Sequence, residues 1–105
     1  MSQRSMGILK ECIPVFSMLQ DENRQQILLM LFDNKEMSVS EITEKLSLSR
    51  PAVSHHLKLL LDNGLVFVRK EGKERYYRIN LEDSLSLLKQ LVGSIEQDMK
   101  SFALI

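Results

Sequence analysis

Leu46-Ser47-Leu48-Ser49-Arg50-Pro51-Ala52-Val53-Ser54-His55-His56-Leu57-Lys58-Leu59-Leu60 reads as a short turn followed by a capped helix with one apolar and one polar face. Ser49 is a natural N-cap, because its side-chain oxygen can accept from an orphan backbone N–H of the first turn. Pro51 falls early enough that its missing N–H costs little. At about 100° per residue, Val53, Leu57, Leu60 and Leu61 fall in one sector, and Arg50, Pro51, Ser54, His55, Lys58 and Asp62 in another. The free face carries a guanidinium, a hydroxyl, an imidazole and an ammonium. That donor-rich set suits phosphates and base edges in a DNA major groove.

The flanks extend the same reading. Ser38-Val39-Ser40-Glu41 fits a capping box, in which serine and glutamate each satisfy a backbone donor, and it opens a short helix through Leu46. The two helices and the turn between them make a helix-turn-helix. Asp62-Asn63-Gly64 stops the second helix, with Gly64 free to adopt a positive φ. Leu65 to Arg69 and Arg75 to Ile79 are rich in β-branched and aromatic residues, and Glu71-Gly72-Lys73 turns between them, which predicts a β-hairpin with a charged tip. Tyr77 and Ile79 share the strand face expected to pack. Upstream, Asp21 caps a helix carrying Ile27, Leu28 and Leu31 at core spacing, and Asp33-Asn34-Lys35 ends it. Residues 6–19 suggest a first helix that Pro14 should end or kink. From Leu81 onward, Leu81, Leu85, Leu88, Val92, Ile95, Met99 and Phe102 recur at alternating spacings of 4 and 3, a heptad seam widened by Leu87 and Leu91. Its apolar surface exceeds what one small domain needs and predicts a partner helix.

Composition bounds the function. The chain has 105 residues, 44% hydrophobic and 27% charged, so it suits one globular domain spanning 1–105. The net charge is zero, yet residues 49–80 carry +4 while the segments on either side carry −2 each. The positive charge is thus concentrated around the helix-turn-helix, as expected for a protein that meets nucleic acid with one face. The longest apolar run, Ile27 to Phe32, is too short to span a bilayer. No apolar stretch near Met1 precedes a small-residue cleavage site, so a cytoplasmic location is expected. Cys12, the sole cysteine, has no intrachain disulfide partner and reads as a small hydrophobe rather than a redox sensor. No paired carboxylates, nucleophile and base, or phosphate-cradling loop appear, so neither an enzyme nor a cofactor is expected.

In this order, the motifs resemble those of the ArsR/SmtB family of bacterial winged-helix repressors over roughly residues 15–100. The residues that carry the likeness are Leu19-Gln20-Asp21 with Arg24 and Ile27-Leu28, and Glu36 through Ile42. Val53-Ser54-His55-His56-Leu57-Lys58-Leu59-Leu60, Gly64-Leu65-Val66 and Tyr76-Tyr77-Arg78-Ile79 complete it. The resemblance implies a mainly α fold with a small β-hairpin, dimeric through N- and C-terminal helices, here about 6–19 and 81–102. It implies a homodimer that binds an imperfect palindrome in double-stranded DNA and leaves it when a signal arrives elsewhere. Leu81, Leu85, Leu88, Val92, Ile95 and Met99 are the interface expected from the seam.

Two departures concern the signal. Metal-sensing members carry a Cys-x-Cys pair where this chain has Ser38 and Ser40, which cap a helix but do not hold soft metals. The other common site uses Asp and His ligands on the C-terminal helix, and residues 81–105 contain no histidine. No metal site is therefore expected, and no inducer is named by the sequence. Ser49, Arg50, Pro51, Ser54, His55 and Lys58 are the expected DNA-facing residues of the helix. Arg69, Lys70, Lys73 and Arg75 are expected on phosphates or in the minor groove, although such charges can also guard an exposed sheet edge. His56 falls at the edge of the apolar sector and is expected to pack; neighbouring histidines diverge on a helix and make a poor metal pair. The alternative function is a winged-helix module whose hairpin and seam bind another protein.

Overall fold

The structure, a computed structural model, describes the backbone of residues 1–103 and the side chains of residues 1–101. Phe102 of the seam lies outside the described side chains. Eight elements follow one another: α1 (Gln3–Leu19), α2 (Glu22–Asp33), β1 (Met37–Ser38), α3 (Val39–Lys45), α4 (Arg50–Asp62), β2 (Val66–Glu71), β3 (Glu74–Ile79) and α5 (Glu82–Ala103).

Local chemistry accounts for most boundaries. Asp21 caps α2 by accepting from Arg24 N. Ser38 and Glu41 form both bonds of the capping box at α3. Ser49 caps α4 by accepting from Ala52 N, and Gly64 ends its exit turn at φ 75°. The apolar sector of α4 is inside, with Val53, Leu57 and Leu60 each 0% exposed. They meet Ile27 and Leu31 of α2, Ile42 of α3 and Leu65, forming one core under the helix-turn-helix.

Three expectations need correction. Pro14 does not end α1; the helix runs through it from Gln3 to Leu19. Lys10 and Pro14 both stand on the exposed side, so water can take the Lys10 carbonyl that the proline cannot bond. Buried Cys12, Val15 and Met18 hold the helix around the gap. The hairpin strands run further toward the tip than expected, and Gly72 at φ 62° opens the tight turn between Glu71 and Glu74. The hairpin also gains a third strand. Met37 and Ser38 pair antiparallel with Tyr77 and Tyr76, giving the order β1-β3-β2.

Helices α1 and α5 form an antiparallel arm, which makes the molecule 60 Å long but only 23 × 21 Å across. Small buried side chains, Ser5, Cys12, Ser84 and Ser94, let the two helices approach closely, with Leu91 beside them. Near its end the Ser5 hydroxyl bonds Ser94, and Asp98 accepts from Ser2 N at 2.9 Å and from Ser5 Oγ at 2.6 Å. These bonds, the Ser2 N–H foremost, hold the Asp98 carboxyl below its ordinary range. A carboxyl lowered in the folded state contributes stability that is present at neutral pH and lost as pH falls through its folded value. Asp98→Asn should therefore flatten the acid limb of stability, read by urea unfolding between roughly pH 6 and 3. An acid limb as steep as the parent's would contradict the clasp.

Candidate nucleic-acid interface

The polar face of α4 and the wing enclose a groove of about 410 Å³, with Pro51, Ser54, His55 and Lys58 on one side and Arg75 and Tyr77 on the other. Its position follows from the strand register. Val66, Val68 and Lys70 lie opposite Ile79, Tyr77 and Arg75, so one hairpin face has an apolar root and a basic tip. Buried Tyr77 anchors that root, leaving Arg75 beside α4. Lys70 stands directly opposite Arg75, and neither forms an ion pair among the described residues. Like charges facing each other across a strand pair repel, and a phosphate between them would relieve the repulsion. Lys73 sits in the turn itself.

The other expected residues divide by what they touch. Ser49 spends its oxygen on the cap, and Pro51 occupies the first turn of α4. Lys58 pairs with Asp62 at 3.6 Å, but both are well exposed, so solvent screens the pair and the ammonium stays available. His56 packs, as expected: its side chain is 15% exposed, with Nδ1 3.9 Å from the Asp21 carboxylate. Arg69 lies on the opposite hairpin face from Lys70 and Arg75. Its guanidinium donates to both Glu36 oxygens at 2.7–3.0 Å and to Glu71 at 2.7 Å, and sits 4.5 Å over the Tyr76 ring. Those carboxylates, Glu36 before Glu71, raise the Arg69 pKa further. Arg78 lies on that face too, 4.3 Å over the Phe67 ring.

Arg50 has partners that sequence reasoning did not find. Nη1 donates to Ser40 Oγ at 2.7 Å and Nη2 to Glu74 Oε1 at 3.4 Å, while Ser40 donates to the same Glu74 oxygen at 2.8 Å. The Ser40 hydroxyl first, and then Arg50, hold the Glu74 carboxyl below its ordinary range, so it is ionised at neutral pH. Ser40 and Glu74 come from α3 and β3 and share no local motif with Arg50.

Comparison with known proteins matches residues 21–67 to the family described as bacterial regulatory protein, arsR family, a span that runs from the α2 cap into the wing. The arsenical resistance operon repressor of Escherichia coli is 40% identical over 65% of this chain, which spans 58% of that repressor's length. The transcriptional activator HlyU of Vibrio cholerae is 36% identical, with 77% of this chain and 74% of HlyU aligned. The chain belongs to the ArsR family. Its fold agrees: reduced HlyU superposes with a TM-score of 0.73 over 86% of this chain and 94% of that one, at 33% identity. A homodimeric winged helix-turn-helix DNA-binding domain from Mycobacterium bovis, a possible ArsR-family regulator, is 33% identical, with a TM-score of 0.68 over 90% of this chain and 88% of that one. This ArsR-family protein is thus a transcriptional regulator with a winged helix-turn-helix DNA-binding domain, in which α4 is the recognition helix and the β2–β3 hairpin is the wing.

Among the described residues, no group of three His, Cys, Asp or Glu side chains is placed to hold a metal ion. Ser38 and Ser40, at the family's cysteine positions, are committed to the α3 cap and to Glu74. Burial, and then Glu11, push the Cys12 thiol up, which disfavours the reactive thiolate.

Proposed function

We propose that this regulator is a cytoplasmic homodimer that represses transcription by occupying a palindromic operator, acting by binding rather than catalysis and without a metal signal. Arg50, Ser54, His55 and Lys58 read or approach the major groove, while Lys70, Lys73 and Arg75 hold the flanking phosphates. Arg69 braces the wing through Glu36. The single observation that carries this reading is the shared groove: the basic pair on the wing and the donor face of α4 open on the same side.

The dimer rests on the arm. Leu85 is 51% exposed, Val92 55% and Met99 65%, while Leu91 on the inner side packs on α1. On α1, Met6, Ile13 and Phe16 are likewise exposed. A two-helix arm with apolar residues on its outer side cannot bury them alone, and a second arm related by a twofold axis completes a four-helix core. An apolar groove of about 360 Å³ continues this surface onto α2, between Leu28, Leu29, Phe32, Leu85 and Leu88. In this reading the chain is one domain, with dimerisation segments at about 6–19 and 81–102.

Selection from a random duplex library tests the proposal. The chain should enrich a palindrome whose half-sites lie about one DNA turn apart, and its affinity should fall steeply with salt. Salt-insensitive binding with no enriched sequence would favour the protein-interaction module instead. Zinc, cadmium, arsenite or a chelator should leave affinity for the selected duplex unchanged; a shift of about tenfold at micromolar metal would overturn metal independence.

A further inference from the structure

We propose that Glu74 on the wing is a positioning residue that holds Arg50 for base reading and away from phosphates, so that it sets sequence discrimination rather than overall affinity. The inference rests on the DNA-reading function proposed above. Arg50 is the first residue of the recognition helix, where a free guanidinium could reach many phosphate oxygens as easily as one base edge. It is not free. Ser40 and Glu74 take two of its five N–H donors, and its side chain remains 52% exposed. Three donors are left, and bidentate recognition of a guanine needs only two. A guanidinium already fixed by acceptors from two other elements loses little rotamer freedom when it binds.

The carboxylate also opposes the competing mode. Glu74 Oε1 accepts from both Ser40 and Arg50, and Oε2 is buried with no hydrogen-bond partner. If Arg50 swung away to a phosphate, Glu74 would keep only the serine, leaving an uncompensated negative charge beside a polyanion. When Arg50 reads a base with the clamp intact, the charge stays paired. The same contact fixes the wing to the N-terminus of α4, so the phosphate-facing Lys70 and Arg75 share a frame with the base reader.

Glu71 provides the internal control. It stands directly opposite Glu74 in the strand register and carries the same charge, but it holds Arg69, whose guanidinium is also bound to Glu36 and does not touch Arg50. Affinities of Glu74→Gln and Glu71→Gln would be measured for a duplex selected by the parent chain and for a scrambled duplex of equal length, at one salt concentration. Glu74→Gln should bind scrambled DNA as well as or better than the parent, with the selected-to-scrambled ratio falling about tenfold. Glu71→Gln should leave that ratio unchanged, and in an Arg50→Ala background Glu74→Gln should no longer alter it. A ratio within about twofold of the parent's, or an equal loss without Arg50, would overturn the proposal. A parent chain that selects no sequence would overturn the DNA-reading function itself and this inference with it.

Discussion

Val92→Asp is expected to leave a folded monomer that has lost operator affinity by about a thousandfold or more, down toward the level of non-specific DNA. The single chain has no reason to resist this change, because Val92 is 55% exposed on the outer side of the arm. Only a partner can make the substitution costly, by burying an unpaired carboxylate in each copy, which costs several kcal/mol per dimer. Leu88 is a less clean probe, since it is half-buried and lines the apolar groove against α2. Without the dimer, each recognition helix meets one half-site with no fixed spacing to the other. Sedimentation velocity beside a DNA titration checks both outcomes. A variant that stays dimeric, or a monomer that holds the palindrome as tightly as the parent, would refute the role assigned to α5.

Arg50→Ala is expected to have the next largest effect, and it acts twice in a dimer. A lost bidentate contact to guanine costs about 1–3 kcal/mol per copy on the operator, with little change on scrambled DNA. Lys73→Ala should weaken both duplexes alike and lower the salt slope by about one per copy, because a turn lysine meets phosphates, which carry no sequence. Equal losses for Arg50→Ala on both duplexes would make Arg50 a phosphate contact and leave the clamp to Glu74 without a reading role.

What the sequence revealed was set by locality. The caps at Asp21, Ser38 and Ser49 and the glycine stop at Gly64 act within three or four residues, and each stands where the sequence placed it. The buried stripe of α4 follows equally from helical periodicity. The chain's long-range partners were not legible: Arg69 meets Glu36 across 33 positions and Arg50 meets Glu74 across 24. No spacing rule links such pairs, so Arg69 read as one more free cation of the wing. Strand β1 was hidden because two residues are too few for an alternating pattern and because Ser38 already had a role as a cap. The arm was half legible. Its outer leucines show as a heptad, but the side facing α1 is lined by Ser84, Leu91 and Ser94, and buried serines carry no hydropathy signal. Pro14 does not end its helix, for the opposite reason, since packing of Cys12, Val15 and Met18 on both sides of it outweighs the local rule.

In the proposed function two copies read one palindrome together. The direct test is titration of the selected palindrome and of a duplex with one half-site scrambled, at the same salt concentration. Two chains should bind each palindrome, and affinity should be lower by about a thousandfold or more on the scrambled duplex. One chain per duplex, or equal affinity for the two DNAs, would contradict it.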